Sequence, residues 1–303
     1  MTQSKIAEAL GYSRVKINRV LRQAREAGIV QVQIVPLQDD FSELEDALIS
    51  AYALRDACVV PEADAGLPLY LSLARGAAAW LEDHLVQGIQ VGLGLGRTVS
   101  HLPQVFHTER PVNCTVTEIV GAASDHSGGI ASYNVTARMA ELLGGRAELF
   151  YAPTFVSDPE LKRKLLAEPS VTHALDRARK SDIILQSVGP VDETALLFMH
   201  GLLTKTDLEA LRREGAVGDA LGHYYTAEGK HIPSLSDRCV IGLDLKDICQ
   251  APWSVVIAGG SDKLLPLRGA LAGKIFNMLV TDRVTAISLL DTGAHASRIP
   301  ATG

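Results

Sequence analysis

The residues Gly92-Leu-Gly94-Leu-Gly96-Arg97-Thr98 concentrate the chemistry that an anion site needs. Closely spaced glycines let backbone N–H groups approach an anion, and Arg97 with the Thr98 hydroxyl completes a phosphate cradle. The third glycine comes one residue early for the dinucleotide pattern GxGxxG, and no Lys follows to make a Walker loop. Tight packing alone is the competing reading of such a turn. A second glycine turn, Gly259-Gly260-Ser261-Asp262-Lys263, follows another apolar run. A Lys near a helix start opposes the helix dipole, so Lys263 favours an anionic partner. Val188-Gly189-Pro190 is a third junction, and the polar stretch from Gly121 to Asn134 a fourth. Asn134 suits either a polyol hydroxyl or a helix cap. Asp219 suits either sugar hydroxyls or water.

Catalytic patterns are missing. The nine His form no HxH, HExxH or His-plus-Cys grouping, and no GxSxG elbow occurs, so neither metal nor cofactor is expected. A Lys beside a glycine loop can form a Schiff base with an aldehyde, but nothing in the sequence marks it as desolvated.

A different chemistry sits in Gln3–Leu21, which has the spacing of a helix-turn-helix. Small Ala7 suits a close helix crossing and Gly11 a turn with positive φ. Ser13 is a natural N-cap for the second helix, with Ile17 and Val20 as its buried face. Outward Arg14, Lys16, Asn18, Arg19, Arg22 and Arg25 are donors suited to phosphate oxygens and base edges. Residues 1–28 carry six Lys/Arg against two Glu, a net of +4, which leaves −10 for the rest of a chain at −6. A basic head on an acidic body confines polyanion binding to the head. In a helix-turn-helix, Ser13, Arg14, Val15, Asn18 and Arg19 would face base edges, with Thr2, Lys16 and Arg22 near phosphates.

These residues need elements to position them. After Ala27-Gly28, the alternating run IVQVQIVP reads as the strand of a wing, closed by Pro36. Leu37–Asp40 reads as a linker, and Phe41, Leu44, Leu48 and Ala51 as the apolar stripe of a helix ending near Leu54. That helix either docks on its own domain or pairs with a second subunit. Apolar runs then alternate with amphipathic stretches: ACVVP, IQVGLGL, TVTEIVG, AELFYAP, DIILQSVG, CVIGL, SVVIAGG and IFNMLVT. The intervening helices are expected at 69–87, 133–143, 159–168, 170–180, 205–215 and 263–272. Such alternation indicates an α/β domain with a mainly parallel, Rossmann-like sheet, whose ligands gather at strand carboxyl ends. The expected domains are a helix-turn-helix over 1–36, a linker and connecting helix over 37–54, and an effector domain over 55–303. Residues 295–303 read as a frayed tail.

With 303 residues, 47% hydrophobic and 21% charged, the chain can bury a large aliphatic core. Its four Cys lack CxxC pairing and read as reduced thiols, Cys114 and Cys239 buried, and no apolar run is long enough to span a bilayer. A cytoplasmic protein without a membrane partner is expected.

Taken together, TQSKIAEALGYSRVKINRVL, REAGIVQVQI, GLGLGRTV, SYNVTARMAELLGG, GAVGDALGHYYTAEG and VVIAGGSDKLLPLRGALAGKIFNMLVTDRVTAISLL resemble the SorC family of sugar-responsive bacterial transcriptional regulators. The resemblance covers nearly the whole chain. It implies a winged helix-turn-helix and an effector domain akin to sugar-phosphate isomerases and CoA transferases, binding operator DNA and a phosphorylated sugar or polyol without turnover. Phosphate contacts would fall on Gly96, Arg97, Thr98 and Lys263, beside Gly94, and hydroxyl contacts near Asn134, Gly189 and Asp219. A homo-oligomer, dimer or tetramer, would be expected. The family's further helix ahead of the motif has no counterpart after Met1, and Ser187-Val188-Gly189-Pro190 replaces its usual GIG segment. Two alternatives stand: a sugar-phosphate isomerase- or aldolase-like enzyme using Lys263 and Asp219, and a sensor that does not bind DNA.

Overall fold

The computed structural model describes residues 12–13, 15–17, 19–20, 40–62, 67–108, 111–122, 132–199, 201, 203–234 and 236–291. The chain divides into two units, Met1–Asp39 and Asp40–Gly303. In the first, residues 15–17 and 19–20 are helical. Ser13 Oγ accepts the Lys16 N–H at 3.2 Å, the N-cap geometry expected of it. Ile17 is buried, whereas Val20 is 49% exposed, a correction to its expected place on the buried face. Three residues turn a helix through about 300°, so Val20 lies off the Ile17 direction. Thr2, Gly11, Arg14, Asn18, Arg22 and the wing lie outside the described residues, as does the tail.

The second unit holds strands β1 (Asp56–Val60), β2 (Gln90–Leu93), β3 (Thr115–Glu118), β4 (Arg146–Glu148), β5 (Ile183–Gln186), β6 (Ala216–Ala220), β7 (His223–Thr226), β8 (His231–Ile232), β9 (Trp253–Ile257) and β10 (Met278–Asp282). Seven form one parallel sheet in the order β1-β10-β9-β5-β2-β3-β4. A parallel sheet is covered on both faces, so alternate residues feed two cores. Ile184, Val256 and Leu279 pack into one with Leu48, from helix Ser42–Tyr52. Ile183, Leu185, Val255, Ile257 and Val280 pack into the other, with Leu81 of helix Leu69–Asp83 and Met139 of helix Ser132–Leu142. Helix Ser42–Tyr52 therefore docks on its own unit, where Glu45 also accepts the Val59 N–H at 2.8 Å. Ala51, expected on its apolar stripe, is exposed.

Leu93, Leu185 and Val255 lie level across the three central strands, so the carboxyl ends of β2, β5 and β9 fall together. From β2 the chain continues to β3 and β4 on one side, and from β5 to β9 and β10 on the other. The β2/β5 boundary is thus the topological switch point, where open α/β sheets have their crevice.

Two readings of the body need correcting. Cys239–Leu243 forms no strand; Val240 and Gly242 make isolated bridges to Phe155 and Val120. The segment is apolar because Ile241 and Leu243 are fully buried within one of the cores. Second, AVGDA and HYYT, absent from the expected strands, form β6 and β7, antiparallel to each other and, through β7, to β8. Helices Leu245–Gln250 and Arg283–Leu290 also escape the sequence reading, and helix Leu69–Asp83 stops four residues before Gln87.

Candidate functional site

Beyond β2, Gly94 and Leu95 turn against the end of β5. Gly94 N–H donates to the Leu185 carbonyl at 2.9 Å, and Leu95 N–H to Gln186 Oε1 at 2.9 Å. Gln186 is 3% exposed and its Nε2 donates to the Ser187 carbonyl at 2.7 Å. A methyl on Gly94 would overlap Gln186 Oε1, and Gly96, at φ 137°, adopts backbone that only glycine tolerates well. These contacts fix the turn that leads into helix Arg97–Ser100. Thr98 is buried, while the Arg97 guanidinium is exposed and lies 5.1 Å from the Tyr70 ring centre.

Three residues past β5, Gly189 exchanges two backbone hydrogen bonds with Asp219, of 2.9 and 3.0 Å. A side chain on Gly189 would overlap the Asp219 carboxylate. That carboxylate accepts the Gly222 N–H at 2.8 Å. Burial raises its pKa; the Gly222 bond and the charges of Lys263 and His223 oppose the rise. Lys263 follows β9 on a short 3-10 turn, Ser261–Lys263, with its ammonium 3.6 Å from Asp262. Asp282 and Thr285 hold that turn from behind: Gly260 N–H donates to Asp282 Oδ2 at 3.1 Å and to Thr285 Oγ1 at 2.8 Å.

The structure therefore places Gly94, Gly96, Arg97 and Thr98 after β2, Gly189 against Asp219 of β6 after β5, and Lys263 after β9. Two cations, a hydroxyl and a partly desolvated carboxylate at neighbouring strand ends can take a ligand carrying both a phosphate and hydroxyls. Asn134 is placed elsewhere. It is the third residue of helix Ser132–Leu142, not its cap, and lines a separate cleft of about 780 Å³ with Gln104, Phe106, His107 and Arg138.

Gln186 and the Asp282–Thr285 clamp escape sequence reasoning. An amide closing the apolar run IIL, and Asp three residues ahead of Thr at a helix start, were the available signals. Glu118 escapes too. It is 2% exposed at the end of β3, Oε2 accepts the Phe150 N–H at 2.8 Å, and burial raises its pKa.

Comparisons with known proteins agree with this architecture. Residues 38–291 match the family described as "Putative sugar-binding domain". The chain is 30% identical over 300 residues to the deoxyribonucleoside regulator of Bacillus subtilis (strain 168), covering 96% of this chain and 93% of that one. It is 29% identical over 294 residues to the transcriptional regulator LsrR of Klebsiella pneumoniae, covering 96% and 88%. Among solved structures, the full-length sorbitol operon regulator SorC from Klebsiella pneumoniae superposes with a TM-score of 0.81 at 24% identity, over 96% of this chain and 94% of that one. That last likeness is one of fold.

Proposed function

The chain belongs to the SorC family of sugar-binding transcriptional regulators, and we propose that it is a DNA-binding regulator of a carbohydrate or polyol operon, switched by a phosphorylated sugar or polyol. In this reading the phosphate lies against the Gly94 and Gly96 turn, Arg97, Thr98 and Lys263, while Gly189 and Asp219 meet hydroxyls. Asn134, which lines the cleft with Gln104 and Arg138, is a further candidate for hydroxyls. The observation that carries the proposal is the convergence of the β2, β5 and β9 ends at the switch point of the sheet. Ser13, Arg14, Val15, Asn18 and Arg19 of a winged helix-turn-helix read base edges, with Thr2, Lys16 and Arg22 on phosphates. The regulator acts in the cytoplasm as a dimer or tetramer. The relatives reported above are named as regulators, which favours this reading over an isomerase- or aldolase-like enzyme.

Thermal unfolding against a panel of sugar and polyol phosphates tests the pocket. A ligand at a hundred times its Kd adds about 2.7 kcal/mol of apparent stability. One or more phosphorylated members should raise Tm where the unphosphorylated sugar and inorganic phosphate do not. Arg97→Ala and Lys263→Met should each abolish the shift while folding normally. Unchanged shifts in both variants would refute the assignment.

A further inference from the structure

A second cluster lies on the small antiparallel sheet. His223 opens β7, His231 opens β8, and Asp237 sits on the 3-10 turn Ser236–Arg238 that follows. Tyr225 pairs with His231 across the ladder, which makes His223 and His231 diagonal neighbours on one face. His223 Nδ1 lies 2.5 Å and His231 Nε2 2.8 Å from the same oxygen, Asp237 Oδ1. We propose that His223 Nδ1, His231 Nε2 and Asp237 Oδ1 form a binding site for a divalent first-row transition metal such as Zn²⁺.

Two imidazoles and one carboxylate are a donor set that such ions take, with a further position left for water. Ligand atoms about 2.0–2.2 Å from a tetrahedral ion stand roughly 3.3 Å apart, so small side-chain rotations open the cluster to fit. Its supports are already in place. Asp237 Oδ2 accepts the Ser234 N–H at 2.6 Å and the Ser234 hydroxyl at 3.2 Å, which turns Oδ1 toward the imidazoles. Ser236 Oγ donates to the Gly222 carbonyl at 2.6 Å, tying the turn to the residue before His223. Partners of this kind orient metal ligands. His223 makes its hydrogen bond to Asp237 through Nδ1, while its Nε2 is buried without a partner. His231 is 44% exposed and leaves a path for an ion. Lys162 and Arg238 oppose a cation here, but the Lys162 ammonium donates to the Asp237 backbone carbonyl at 2.6 Å and so leaves the carboxylate to the histidines. The spacing of seven and five intervening residues matches no metal motif, which is why the sequence pointed to none.

The full chain, stripped with EDTA and titrated with Co²⁺, should take up one equivalent and develop visible d–d absorption. Zn²⁺ should displace it and raise Tm by mass action. His231→Ala, at an exposed position, should lose at least tenfold in affinity with its apo Tm unchanged, and Asp237→Asn should lose affinity likewise. Uptake retained in His231→Ala, or no stoichiometric uptake by the wild-type chain, would overturn the proposal. Neither readout depends on the sugar-phosphate site.

Discussion

Burial raises the Asp219 carboxyl, even though the Gly222 N–H and the charges of Lys263 and His223 pull the other way. A carboxyl raised above its unfolded value costs the folded state stability once ionised. That cost is absent below the unfolded pKa, grows as pH rises between the two values, and is complete above the folded one. Asp219→Asn removes it and keeps an oxygen for Gly222. The variant should therefore melt higher than wild type at pH 7, and the gain should vanish as the pH falls below the ordinary aspartate range near 4. Melting curves at the two pH values check this; a variant less stable at pH 7 would contradict it. If Asp219 meets ligand hydroxyls, the same variant should respond less to the ligand, a site holding strain in exchange for recognition.

Between residue and molecule, the turn after β2 has its shape because Gly94 lies against the buried Gln186 amide. Gly94→Ala should destabilise the fold by about 1–3 kcal/mol through overpacking, and should weaken ligand response by moving Arg97. Denaturant titration and the thermal shift read the two effects separately. Leu48→Ala, which empties a site fully buried against the sheet, should cost about 2–5 kcal/mol and leave ligand response intact. The parallel strands were legible because runs such as IIL and SVVI feed two cores at once. The β6–β8 sheet was not, because β8 is only two residues long and β6 turns into β7 through Leu221 and Gly222, both at positive φ. Arg97 and Lys263 stood out as cations on glycine turns. Gln186 did not, since its role exists only across two strands. His223, His231 and Asp237 meet through a hairpin diagonal that linear spacing hides.

At the scale of the molecule, residues 1–28 carry a net +4 and the remainder −10, the asymmetry expected of a polyanion-binding head on an acidic body. Arg19→Ala should cost about 1–3 kcal/mol in specific DNA binding and much less in nonspecific binding; equal losses would refute base reading. Effector and operator sites are then linked by a coupling free energy of about 1–3 kcal/mol, or roughly 5–150-fold in affinity. The most direct test is fluorescence anisotropy with DNA from the chain's own upstream promoter, with and without a sugar or polyol phosphate that stabilises the protein. Wild type should shift its DNA affinity within that range, in either direction, and Arg97→Ala should bind DNA normally without any shift. An Arg97→Ala chain that responds like wild type would contradict the account.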